Sequence, residues 1–165
     1  MTSSTPAPAA PDTAPEPQVA GRAASLALLV VLFASFMDLL DVTIVTVAAP
    51  DIAANLSASE AELQWMLAAY VLALGSGLVT GGRVGDAYGR RRVFLVSLAG
   101  FALASAACAL APSAGTLIAL RALQGLAGGF MVPQVFGIIR SSFAPAAMAK
   151  AFGAYGAVQG LASVA

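Results

Sequence analysis

The chain has no histidine, one cysteine and one lysine. Each scarcity excludes a class of chemistry. Cys108 stands alone inside an apolar run, so neither a zinc-ligand set nor a disulfide framework can be assembled. Lys150 is followed by Ala151, so no phosphate-binding G-x-x-x-x-G-K-S/T loop can be written. If the protein moves solutes, something other than ATP bound in such a loop must drive it. No nucleophile–base or metal constellation suited to a membrane enzyme is present. Charge is scarce too. Asp, Glu, Lys and Arg make up 10% of residues, against about 25% in ordinary soluble domains. The net charge is zero, which offers no bulk attraction to nucleic acid. What remains is apolar: 59% of residues, with a mean hydropathy of +0.88. The implied solvent is a lipid bilayer.

Long apolar runs follow one another along the chain. A bilayer-spanning helix needs about 20 such residues. Residues 1–21 are different, rich in Pro, Ala, Ser and Thr with five prolines. Such a tail cannot bury enough apolar surface to fold and is expected to be disordered. Residues 22–165 are expected to form a partial transmembrane bundle. Its helices are expected over about 23–48, 63–82, 92–111 and 116–139, with an incomplete one over 151–165. The first run is too long for a signal peptide, whose apolar core is only about 7–15 residues. Pro50 is expected to close it. Ser59 and Glu62 have the spacing of a capping box that starts the second helix, and Trp65 stands where an interfacial aromatic anchor belongs.

Gly82 to Arg92 reads as a glycine-punctuated basic turn between two apolar runs. Arginines in short connectors mark the cytoplasmic side. Placing the tail, this turn and the 140–150 connector in the cytoplasm puts Arg22, Arg83, Arg90, Arg91, Arg92, Arg140 and Lys150 on one side. The outer connectors then hold no Lys or Arg. The N-terminus is therefore expected to be cytoplasmic, in a multi-pass protein of the cell membrane.

The charged residues left over lie inside spans: Asp38 and Asp41 in the first helix and Arg121 in the fourth. An ionisable group in hydrocarbon is costly and points to function by default. Asp41 precedes Val47, and Arg121 follows Gly115, by the same number of residues. At about 1.5 Å per residue, both sit about 9 Å below the outer face. They share a layer and can pair directly or through water. Asp38 lies at i−3 from Asp41, on the same helix face. Two readings are open: a structural ion pair that fixes helix packing, or a protonation site facing a watery cavity. The small-xxx-small pairs Gly77/Gly81, Gly81/Gly85, Gly125/Gly129 and Gly156/Gly160 are expected to let helix backbones approach closely. Pro133 removes a backbone hydrogen bond from the fourth helix.

These residues resemble the N-terminal part of the major facilitator superfamily, specifically its fourteen-helix drug:proton antiporters. Leu40 to Pro50 is similar to that family's first-helix signature, L-D-x-T-I/V-I/V-N-V-A-L-P. Gly82 to Phe94 is similar to its loop motif, G-x-L-A-D-R-x-G-R-K/R. Arg121 to Gly129 is similar to its fourth-helix motif, R-x-x-Q-G-x-G-A/G-A/G. Thr46 and Ala49 depart from the first motif. Val84, Gly85 and Ala87 depart from the second, which removes one of its charges. A G-P-x-x-G-G helix is expected just after Ala165.

The resemblance implies a role for each matching position. Asp41 and Arg121 would take part in proton coupling, with Gln124 nearby. Asp86 and Arg90, with Arg91 beside them, would form a cytoplasmic conformational lock, with Gly82 and Gly89 shaping the turn. Asp38 lies outside the shared signature and suggests a second acidic site for a cationic substrate. The implied function is proton-coupled multidrug efflux by a larger parent protein. The proton gradient would supply the energy, no cofactor would be needed, and the substrate would be small, lipophilic and often cationic. The missing C-terminal remainder would be the partner. A facilitator of another solute class, or a small non-transporting membrane protein, are the alternatives.

Overall fold

The computed structural model describes residues 21–162, so the expected disordered tail over 1–20 lies outside the described residues. Five helices follow in order: α1 Gly21–Leu56, α2 Glu60–Tyr88, α3 Arg90–Ala109, α4 Ala114–Ser142 and α5 Pro145–Ala162. The first four are long and apolar enough to cross a membrane. No strand occurs among the described residues, and the fold is all-α.

Helix ends follow local chemistry. Pro50 does not close α1, contrary to expectation; the helix runs through it to Leu56. The extra turn is held by packing, because Ile52 and Leu56 lie against the apolar cluster of Met66, Ala114 and Leu117. The stop comes at Ser57, whose φ is +49°. There the Ala58 amide donates to the Ala53 carbonyl over 3.0 Å, the back-bond that closes a helix C-terminus. α2 starts as expected. The Ser59 hydroxyl accepts from the Glu62 amide, and the Glu62 carboxylate accepts from the Ser59 amide over 2.8 Å. Ser113 caps α4 by accepting from the Thr116 amide.

The basic turn is shorter than its sequence suggests. α2 continues helically through Gly82 and Gly85 to Tyr88, and α3 resumes at Arg90. Only Gly89 leaves the helix, at φ +91°, a conformation that side chains disfavour. Gly82 therefore lies inside α2, with open space where a Cβ would stand, rather than in the turn. The expected starts and ends of the other helices shift by a few residues for a similar reason. Polar residues such as Glu60, Arg90 and Ser141 continue the helices beyond the apolar runs. α5 begins at Pro145, well before the expected residue 151, because proline suits a first helical position.

α2 and α4 form the tightest pair. A Cβ on Gly77 would stand 2.9 Å from the Cα of Gly129, and one on Gly81 would stand 2.9 Å from the Cα of Phe130. On the other side, Gly125 meets the Tyr70 carbonyl and Gly129 meets the Leu74 carbonyl. The expected glycine pairs on these helices thus lie at one helix–helix contact. Gly153 and Gly156 of α5 face open space instead. α3 packs on α4 and also touches α2, and α5 packs on α1.

Apolar side chains divide into two buried clusters. One joins Val31 and Ala34 of α1 to Phe94, Met131, Val135, Ile139 and Ala151. The other holds Met66, Ala114 and Leu117. Asp38 and Asp41 on α1, and Arg121 and Gln124 on α4, fall between these clusters along the chain. Leu29, Phe33, Val79 and Leu103 point outward, as helices solvated by lipid allow, since lipid tails are as apolar as leucine.

Candidate functional site

Arg121 is the largest fully buried side chain, 1% exposed. Its Nη1 donates to Asp41 Oδ2 over 2.5 Å and to Gln124 Oε1 over 2.8 Å. Gln124 Nε2 donates back to Asp41 Oδ1 over 2.8 Å. The three side chains close a triangle between α1 and α4. Arg121 and Gln124 sit one turn apart on α4, so both reach the same carboxylate. The pair inferred from equal depth is thus direct. Asp41 is the more open partner, with 15% of its side chain exposed. Removing one partner of a buried ion pair is costly, about 3–5 kcal/mol in soluble proteins. The Asp41–Arg121 contact therefore bears directly on how α1 and α4 sit together.

Asp38 belongs to the same layer. Its Oδ1 accepts a 2.6 Å hydrogen bond from the hydroxyl of Tyr70 on α2. The face of the Tyr70 ring carries Arg121, whose Cζ lies 4.8 Å from the ring centroid, within cation–π range. Gly128 makes room on α4: a Cβ there would stand 3.1 Å from Asp38 Oδ1. Cys108 of α3 donates to Gln124 Oε1 over 3.6 Å. Sequence reasoning missed Tyr70 and the contact of Cys108. The signal for Tyr70 was its spacing: it precedes Gly77 by two helical turns and shares the glycine face that meets α4.

The loop residues form a second, separate group. Arg90 Nη2 contacts Asp86 Oδ1 over 2.7 Å across the Gly89 break. Both side chains are substantially exposed. Pairs of this kind contribute only about 0.3–0.5 kcal/mol to stability, so their importance rests on position. The Arg90 guanidinium lies directly over Gly137 of α4, where a Cβ would collide with it. One turn closer to the membrane centre, Gln134 fills the space beside Gly85 and donates to the Gly81 carbonyl over 2.7 Å. The C-terminal ends of α2 and α4 are thereby fastened by side chains that the motif alone did not reveal. Arg91 stands beside Arg90 at the start of α3. With Arg90, Phe94 and Ser141 it lines a cleft of about 690 Å³ against the start of α1.

The model of the Major Facilitator Superfamily matches residues 31–165. The chain belongs to the major facilitator superfamily. Superfamily members that it resembles include the probable actinorhodin transporter of Streptomyces coelicolor, 47% identical over 84% of this chain and 24% of the relative. The puromycin resistance protein pur8 of Streptomyces alboniger is 45% identical over 81% of this chain and 27% of the relative. Multidrug resistance protein 3 of Bacillus subtilis is 39% identical over 83% and 27%, respectively. The chain thus spans about a quarter of the length of these superfamily relatives. They are membrane transporters, several of them named for antibiotics or drugs, and the helices described here are part of such a bundle.

Proposed function

We propose that the chain is the first portion of a proton-coupled efflux transporter for small lipophilic, cationic compounds, in the cell membrane with its N-terminus cytoplasmic. The observation that carries this reading is the Arg121–Asp41–Gln124 triangle. A carboxylate that is partly open, paired to a buried guanidinium and placed mid-helix is suited to load and release a proton. Loading it breaks the Asp41–Arg121 contact between α1 and α4, and unloading it restores that contact. Asp38, a second acid in the same layer, supplies negative charge for a cationic substrate. The 86–91 region acts as the cytoplasmic lock, tying α2 and α3 to α4 through Arg90 and Gly137. Orientation rests on the one-sided placement of Lys and Arg.

The relatives' names favour a second reading, in which the exporter serves one antibiotic. Actinorhodin, puromycin and tetracenomycin C each appear in the name of one relative, while another is named for multidrug resistance.

Everted membrane vesicles containing the full-length transporter separate these readings. A multidrug antiporter takes up several unrelated lipophilic cations when the vesicle interior is acidified, and a protonophore abolishes that uptake. Uptake of a single compound class supports the dedicated exporter. Uptake indifferent to the protonophore removes proton coupling from both.

A further inference from the structure

Arg121 spends one nitrogen and keeps two in reserve. Nη1 makes both of its hydrogen bonds, while Nε and Nη2 are buried without a hydrogen-bond partner among the described residues. Donors of a charged group left unmatched in a dry interior are expensive and call for an explanation. A second carboxylate stands in the same layer, on the same face of the same helix as Asp41. It is Asp38, and it is held by Tyr70. The Tyr70 side chain thus binds the anion through its hydroxyl and the cation through its ring. Its own position is fixed, because its carbonyl is wedged against Gly125.

We propose that Tyr70 is a positioning residue that holds Asp38 in reserve as a second counter-ion for Arg121, to be released when Asp41 is neutralised. The Nε–Nη2 edge of a guanidinium presents parallel donors that match a carboxylate. With Asp41 charged, Arg121 is already compensated and Asp38 gains more from the Tyr70 hydroxyl. With Asp41 protonated, the buried guanidinium has no anion, and an uncompensated charge in this setting is strongly unfavourable. Among the described residues, Asp38 is the one remaining carboxylate of the layer. Gly128 leaves its path along α4 clear, since a Cβ there would press on Asp38 Oδ1. The exchange shifts one turn of α1 against α4 and keeps Arg121 paired in both states.

The proposal rests on Asp41 being the group that gains and loses the proton. Its test requires no transport, so the two can fail separately. Thermal unfolding midpoints are measured on the full-length transporter in detergent at neutral pH. Asp41→Asn stands for the protonated state. In the otherwise unchanged protein, Tyr70→Phe removes a buried hydrogen bond and lowers the midpoint. In the Asp41→Asn background the same change frees Asp38 for Arg121, and the midpoint rises. Asp38→Asn is tolerated when Asp41 is present and is far more damaging in the Asp41→Asn background. A Tyr70→Phe effect of the same sign in both backgrounds overturns the proposal. So does failure of Asp41→Asn to yield folded protein while Asp38 is intact. Efflux that survives Asp41→Asn while the sign reversal is seen removes the proton reading and leaves the counter-ion exchange standing.

Discussion

Gly77 of α2 and Gly129 of α4 meet so closely that a Cβ on Gly77 would lie 2.9 Å from the Cα of Gly129, and one on Gly129 would lie 2.8 Å from the Cα of Gly77. Neither backbone can retreat without moving a whole helix. Gly77→Ala is therefore expected to destabilise the bundle by about 1–3 kcal/mol, the usual penalty for overpacking. Gly82→Ala adds the same methyl to the same helix where nothing stands within 4 Å. It gains up to about 1 kcal/mol of helix propensity instead. Unfolding midpoints of the two variants in detergent are expected to move in opposite directions. Equal losses would mean that α2 and α4 do not meet on this stripe.

Much of the architecture was legible because its causes are local. Apolar runs of bilayer length, the Ser59–Glu62 box and the depth of Asp41 and Arg121 each depend on a few neighbouring residues. The 82–92 segment was misread because glycine has two uses. Gly89 turns the chain, but Gly85 is helical and makes room for Gln134. Sequence spacing cannot separate these. Pro50 was misread because the packing of Ile52 and Leu56 on other helices outweighs the local break. Tyr70, Gln134 and Gly137 were missed because their partners lie on other helices. An apolar run that is hydrophobic all round does not state which face turns inward.

The proposed cytoplasmic lock has two separable parts. Asp86→Asn removes the charge that holds Arg90, while Gly137→Ala pushes the Arg90 guanidinium off α4 and leaves Asp86 intact. The Gly137 clash is with the end of a flexible side chain, so folding should survive. Both variants are expected to raise labelling of a cysteine placed in the cytoplasmic cavity of the full-length transporter. A rise with Asp86→Asn alone would show that the seat on Gly137 is incidental.

Residues 1–165 are expected to show no proton-driven efflux when reconstituted alone. Alternating access requires two bundles that rock about a central site, and α1–α5 supply less than one. Dye efflux from vesicles containing only this chain is the check, and sustained efflux would contradict the mechanism proposed for the triangle.

Asp41 and Arg121 give the sharpest separation between a coupling site and a structural ion pair. Asp41→Asn keeps the shape of the side chain and removes its titration. For a coupling site, proton-driven efflux collapses while substrate binding persists, since binding needs no proton release at Asp41. Arg121→Lys keeps a positive charge with donors for Asp41 and Gln124, but loses the planar guanidinium that lies over the Tyr70 ring. Because Nη1 alone carries both bonds, lysine is expected to retain part of the activity, above Arg121→Ala and below the unchanged protein. For a structural pair the pattern differs. Each single neutral change then costs about 3–5 kcal/mol by stranding its partner. Asp41→Asn with Arg121→Gln leaves neutral amides that can bond to one another and to Gln124, and restores both folded yield and efflux. Efflux regained in that double variant would end the coupling role of Asp41, while restored yield without efflux is the result expected of a proton site.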